Sequence, residues 1–248
     1  MIKVLVHGSN GKMGAHVREA VLKNENMELL CGVDKMSQGN EDYKYYSDFS
    51  MVDTKPDVII DFSFHTVVKD ALDYAVKVGC PIVVATTGLT DEEKSYVNEA
   101  AKKIAVFVSG NMSIGIATMC DTAKRIASAF PDAEIEIVET HHIRKADAPS
   151  GTALMLADSI KEVRPDAKYV YGRSGMSKRE KNEIGIHALR MANIVGVHEV
   201  YITTDSEQIV LKHTAFDRAL FADGAIKAGE FLACKSAGIY NMKDIFKN

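Results

Sequence analysis

The chain has 248 residues, 46% hydrophobic and 26% charged, with a formal net charge of −4. That length can bury a substantial core in one large or two modest domains, and the slightly acidic balance argues against a polyanion-binding protein, which usually carries a basic excess. No apolar run reaches the length of a membrane span, and MIKVLVHGSNGKMG enters a strand without the pattern of a secretory leader.

The first hundred residues alternate short β-rich runs with amphipathic stretches. Residues 2–6 read as a buried strand, after which Met13, Val17, Ala20 and Val21 recur at helical spacing. Residues 27–33 form the next strand. Residues 57–62 and 81–85 are apolar runs separated by a helix with Val68, Ala71, Leu72, Ala75 and Val76 on one stripe. A helix over 91–103 and a strand over 105–108 complete the pattern. Such alternation predicts an α/β domain with a doubly wound, Rossmann-type parallel sheet.

The rhythm changes after residue 112. A long helix is expected over 114–130, then a strand over 134–140 in which Ile135 and Ile137 alternate with Glu134 and Glu136. A helix near 152–162 precedes three strand-like runs, 184–190, 194–204 and 208–214, with no helix between them. Consecutive strands predict an α+β domain with an open mixed sheet. Residues 172–183 read as a polar loop, and 217–235 as a helix packing back on the first domain. The expected division is 1–112, completed by 217–248, as a dinucleotide-binding domain, and 113–216 as a substrate-binding and oligomerisation domain.

Cys31, Cys80, Cys120 and Cys234 are scattered and form no C-x-x-C pair, which argues against a zinc site or disulfide framework and fits a reducing cytoplasm. His141 and His142 are adjacent and cannot share a strand face or a helix face, so no metal site is expected.

The glycines at 8, 11 and 14 follow the first strand and open the first helix. Glycines there allow a tight turn and a close approach of backbone N–H groups to a pyrophosphate, and the helix N-terminus favours the anion. Gly8, Ser9, Asn10, Gly11, Lys12 and Met13 are the candidate contacts. Asp34 closes the second strand, where a carboxylate can bind the ribose hydroxyls. Lys35 could meet a 2′-phosphate that Asp34 would repel, so NADH is permitted and NADPH is not excluded. The plainer alternative is a glycine-rich turn with a solvated Asp.

The densest chemistry lies in residues 139–152, ETHHIRKADAPSGT. Ser150 suits a helix N-cap, and the free N–H groups of Gly151 and Thr152 would make an anion site fit for a carboxylate. His141 and Lys145 add an imidazole and an ammonium, groups that can move a proton near neutral pH. If both histidines serve one ligand, the strand must end near Thr140. The alternative is a polar loop before a routine capped helix.

In Glu139-x-His141-His142-x-x-Lys145-x-Asp147-x-Pro149-Ser150-Gly151-Thr152 the chain resembles the 4-hydroxy-tetrahydrodipicolinate reductase (dihydrodipicolinate reductase) family. Asp61-Phe62-Ser63, Thr86-Thr87-Gly88, Asn111-Met112-Ser113, residues 184–190, and Ile194-Val195-Gly196 with His198 extend the resemblance over essentially the whole chain. It implies an NAD(P)H-dependent reduction of a cyclic dicarboxylate in lysine and diaminopimelate biosynthesis, by a cytoplasmic homotetramer. It further implies that His141 is a proton donor and acceptor, that Lys145 is a proton donor, and that His142, Gly151 and Thr152, beside Ser150, hold substrate carboxylates. The cofactor contacts it implies are residues 8–13, Asp34, Ala85, Thr86, Thr87, Ser109, Gly110, Asn111 and Met112. Three positions depart from the family pattern: Ala85 replaces a usual glycine, Met112 a common phenylalanine, and His7 stands where a small or apolar residue is expected.

Two rivals remain. An aldehyde-type dehydrogenase would need a nucleophilic cysteine, whereas Cys120 lies in an apolar helix and Cys31 and Cys80 sit beside strands. A nucleotide-sensing protein without turnover would have no need of His141 and Lys145. Arg190 and Arg218 could reach a carboxylate or serve structural pairing. His198 and His213 are expected to be structural.

Overall fold

A computed structural model describes residues 1–36 and 42–246. The chain forms two compact units, Met1–Ser113 with Arg218–Asn248, and Ile114–Asp217.

The first unit begins with β1 (Ile2–His7), α1 (Lys12–Lys23), β2 (Met27–Val33), β3 (Tyr45–Tyr46) and β4 (Val58–Asp61). It continues with α2 (Val68–Val78), β5 (Ile82–Val84), α3 (Asp91–Ala101) and β6 (Ala105–Val108). Each helix turns its small and apolar stripe inward: Gly14, Val17 and Val21 on α1, and Val68, Ala71, Leu72 and Ala75 on α2. A capping box starts α3, Thr90 accepting from the Glu93 N–H while the Glu93 carboxylate accepts from the Thr90 N–H. Asp91 and Glu92 then complement the helix dipole.

The second unit contains α4 (Ile114–Ala129), β7 (Glu134–His141), α5 (Gly151–Lys161), β8 (Lys168–Tyr171), β9 (Glu183–Arg190), β10 (Gly196–Thr203) and β11 (Gln208–Ala215). Its sheet has the order β11-β10-β7-β9-β8. β10 runs antiparallel to both neighbours, while β7 with β9 and β8 with β9 are parallel, so the sheet is mixed. Ile135, Ile137, Ile184, Ile186, Val200 and Ile202 pack beneath α4 and α5. Fully burying one such side chain is worth about 1.5–3 kcal/mol. Arg164 closes the far end of α4 by donating to the carbonyls of Phe130 and, at 2.7 Å, Ala133.

The chain returns to the first unit with α6 (Ala219–Leu232) and β12 (Gly238–Tyr240). The first sheet has the order β12-β6-β5-β4-β1-β2-β3 with every pair parallel. From β1 the chain moves outward through β2 and β3, then returns to the central β4 on the other side. The carboxyl ends of β1 and β4 are therefore the topological switch point, where open α/β sheets bind their ligands.

The doubly wound sheet and the mixed second sheet match the sequence expectation. The short strands β3, β8 and β12 were not expected, and β10 starts at Gly196 instead of Ile194 because residues 191–195 form a turn.

Candidate active site

At the switch point the loop from β1 to α1 is built for close approach. Gly8 has φ +74°, and a Cβ on Gly14 would fall 2.1 Å from the Gly8 carbonyl oxygen. Gly11 is the N-cap of α1 and contributes no side-chain cap, so first-turn N–H groups are left to an external anion. The glycines let this loop pack tightly on itself and on the end of β4, and the helix start it leaves uncapped fits a pyrophosphate.

The loop is tied to the end of β2. The Asn10 N–H donates to Asp34 Oδ2 at 3.0 Å, and its side-chain amide to the Met36 carbonyl at 2.6 Å. The Met36 N–H donates to Asp34 Oδ1 at 3.0 Å, while Lys35 Nζ lies 3.4 Å from Asp70. The Tyr43 hydroxyl sits 2.5 Å from Asn10 Oδ1 and 3.0 Å from Ser9 Oγ, with the Arg18 guanidinium 4.0 Å from the Tyr43 ring centre. Tyr43 and Arg18 were missed from sequence, because neither lies in the glycine motif.

Thr86 is buried at the end of β5, and its hydroxyl donates to Asp61 Oδ2 at 2.7 Å. His7 Nδ1 lies 2.7 Å from Asp61 Oδ1. The unexpected histidine is thus the partner of a fully buried carboxylate, and it ties β1 to the β4 and β5 ends. Ala85 is buried, whereas Thr87 and Gly110 are exposed. After β6, the Ser109 hydroxyl donates to the Asn111 carbonyl and Asn111 Oδ1 accepts from the Ser113 N–H, which folds the segment into a tight turn. Met112 is buried, and its carbonyl is packed so closely on α6 that a Cβ at Gly224 would overlap it. The side chain at this position therefore faces packing, not an open site.

In the second unit β7 ends at His141, and Lys145 N–H turns back to the His142 carbonyl at 3.1 Å. The strand thus stops at the first histidine, and His142 lies on the turn. Glu139, fully buried, accepts from four directions. His141 Nδ1 is 2.5 Å from Oε2, Arg190 reaches both oxygens at 2.9 and 3.0 Å, and the Ser150 N–H meets Oε1 at 3.0 Å. Burial opposes ionisation, yet the hydrogen bonds from His141 and Arg190 prevail and hold the Glu139 carboxyl down at about 2. Arg190 also donates to the Asp147 carbonyl at 2.6 Å, so the loop between β7 and α5 is clamped from β9.

Ser150 caps α5 by accepting from the Ala153 N–H at 3.2 Å. Its hydroxyl also lies 3.0 Å from His198 Nε2. Burial, followed by the neighbouring His141 charge, pushes His198 down to about 3, so it stays neutral. His198 and His141 meet edge to face at 5.1 Å. Lys145 pairs with Asp147 at 2.8 Å, and burial of Asp147 is outweighed by that bond, which lowers its carboxyl. Sequence reading left Glu139 without a role and treated His198 as merely structural. Glu139 takes Arg190 from 51 residues away and His198 meets Ser150 from 48 away, so those contacts leave no local signal.

These shifts have a common sign. Between its ordinary 6.5 and its folded value of about 3, His198 is protonated only when unfolded. Glu139 behaves likewise between 4.5 and about 2. Stability is expected to fall as pH drops below 6.5, and His198→Gln to flatten the upper part of that decline. Urea midpoints across pH test this; an unchanged slope in the variant contradicts it.

Residues 2–112 match the family "Dihydrodipicolinate reductase, N-terminus" and residues 115–246 match "Dihydrodipicolinate reductase, C-terminus". The 4-hydroxy-tetrahydrodipicolinate reductase of Caldanaerobacter subterraneus subsp. tengcongensis is 45% identical over 249 aligned positions, covering 100% of this chain and 99% of the relative. That of Clostridium tetani is 43% identical, covering 98% and 96%. A solved dipicolinate-bound dihydrodipicolinate reductase from Paenisporosarcina sp. TG-14 superposes with a TM-score of 0.82 at 27% identity, covering 97% of each chain. An aspartate dehydrogenase of Thermotoga maritima, at 13% identity and a TM-score of 0.54 over 95% of this chain and 98% of its own, shares the fold alone.

Proposed function

The chain belongs to the dihydrodipicolinate reductase family, and from that premise we propose that it reduces 4-hydroxy-tetrahydrodipicolinate to tetrahydrodipicolinate in lysine and diaminopimelate biosynthesis. One substrate, one reduced nicotinamide and one proton give the product, the oxidised nicotinamide and water. The observation that carries the reading is the folded signature: His141 on a buried carboxylate, beside a capped helix start suited to a substrate carboxylate.

Residues 8–13 would hold the dinucleotide phosphates, Asp34 the ribose, and the segments 85–87 and 109–111 the nicotinamide half. When bound, the reduced nicotinamide supplies the hydride. The N–H groups at Gly151 and Thr152, beside the capping Ser150 and with His142, orient the substrate carboxylates. Lys145 delivers a proton to the ring nitrogen side as negative charge grows there, and His141 exchanges protons through Nε2.

NADH is the favoured cofactor. Asp34 is a carboxylate at the ribose position, and Lys35, the cation that could attract a 2′-phosphate, is drawn to Asp70. Within the second unit, α4 and α5 cover one face of the sheet. The opposite face carries Val138, Tyr201 and Val210 beside the Glu199–Lys212 pair. That face would join subunits into a homotetramer. No helix among the described residues is long and apolar enough to cross a membrane, and the reading includes a cytoplasmic location.

Turnover tests the assignment. With substrate generated in place, the protein is expected to consume NADH, with a higher kcat/KM than for NADPH, and light scattering is expected to give four chains. Binding of NADH with no turnover would favour the nucleotide-sensing alternative.

A further inference from the structure

We propose that Glu139 is the positioning residue of this site: one buried carboxylate sets which nitrogen of His141 is open to the substrate and where the carboxylate-binding start of α5 lies. The inference rests on the reading that His141 exchanges protons, and goes beyond it by saying how the residue is prepared.

An ionised carboxylate only accepts hydrogen bonds. The 2.5 Å contact between Glu139 Oε2 and His141 Nδ1 therefore needs the proton on Nδ1. In neutral imidazole the remaining lone pair then sits on Nε2, so this nitrogen is the one that can take or return a proton. The space around Nε2 is kept open by the backbone of β10. A Cβ on Gly196 would stand 3.1 Å from His141 Nε2, so the ring would have to shift against its hydrogen bond to Glu139.

The second oxygen does a different job. Glu139 Oε1 accepts the Ser150 N–H at 3.0 Å, in the residue that caps α5. The proton-exchanging imidazole and the anion-binding helix start are thus referred to the same rigid group. Arg190 supplies the charge that lets a carboxylate with no exposed surface remain ionised, and its donation to the Asp147 carbonyl holds the intervening loop. The other titratable or charged groups around His141 do not compete for Nδ1. His198 on β10 meets the ring edge to face and bonds Ser150, and Lys145 pairs with Asp147. His213 on β11 stands opposite His198 in register, one strand further from β7.

Two kinds of measurement test this. In the wild-type protein, proton NMR with ¹⁵N-labelled histidine is expected to show a far-downfield Nδ1–H resonance that disappears in both His141→Gln and Glu139→Gln. Its absence from the wild type overturns the proposal whatever the activity. In kinetics, Glu139→Gln is expected to lower kcat roughly 100-fold and to raise KM for the substrate, with KM for NADH unchanged. Because the residue acts through His141, the double variant Glu139→Gln/His141→Gln is expected to be no slower than His141→Gln alone. Losses that multiply would overturn the proposal and leave Glu139 as general scaffolding. If Glu139→Gln does not fold, Gly196→Ala serves instead: it leaves the Nδ1 resonance in place while lowering kcat about tenfold or more, and unchanged turnover would refute the assignment of Nε2. Full activity in His141→Gln with the resonance intact in the wild type would sink the catalytic reading of His141 and not the hydrogen bond, so the two failures are distinguishable.

Discussion

Lys145→Ala is expected to lower kcat by about three orders of magnitude, within the range that a positioned proton donor contributes. The substitution removes the ammonium that would neutralise charge on the substrate ring nitrogen. It also releases Asp147, whose carboxylate is held at 2.8 Å from Lys145 Nζ. An unpaired carboxylate would then stand on the loop that must receive a dicarboxylate, so KM for the substrate rises as well. Lys145 lies on a turn after β7 and is absent from the cores of both units, so thermal stability should change little. Steady-state kinetics beside a melting curve separate these effects. A variant that folds and turns over at the wild-type rate would remove Lys145 from the chemistry while leaving the reaction intact.

Gly14→Ala is expected to abolish measurable NADH binding, weakening it by about 100-fold or more, and to cost stability. The reason is steric. The added Cβ would lie 2.1 Å from the Gly8 carbonyl oxygen and 2.7 Å from Ser9 Cα, both backbone atoms that cannot swing aside. Either α1 moves away from the sheet or the loop over it deforms, and both change the N–H groups that would face the pyrophosphate. NADH fluorescence titration reads the loss directly. Tight binding by the variant would mean that the dinucleotide sits elsewhere.

Much of this organisation is legible along the chain. Val68, Ala71, Leu72 and Ala75 recur at helical spacing and all are buried in the structure, and the change from alternating strands and helices to consecutive strands marks the passage into the second unit. β3, β8 and β12, at two, four and three residues, are too short for any periodicity to register. The site divides in the same way. His141, Lys145 and Ser150 stand close together in sequence, so their shared chemistry is visible. Glu139 receives Arg190 from 51 residues away, and Ser150 meets His198 from 48 away. Those contacts depend on the register of β7 against β9 and β10, which a single sequence does not specify. His7 is the instructive case, since it was recognisable as out of place among apolar strand residues. Its reason, the buried Asp61, becomes evident only once β1 and β4 are known to be neighbours with His7 opposite Asp61.

The reduction consists in transfer of a hydride from a reduced nicotinamide to the ring of 4-hydroxy-tetrahydrodipicolinate. The most direct test is mass spectrometry of the product formed from NADH carrying deuterium at the transferable position. One deuterium retained in tetrahydrodipicolinate, in step with cofactor oxidation, is the predicted result. Cofactor oxidation without deuterium in the product, or no oxidation when substrate is supplied, would rule out this transfer.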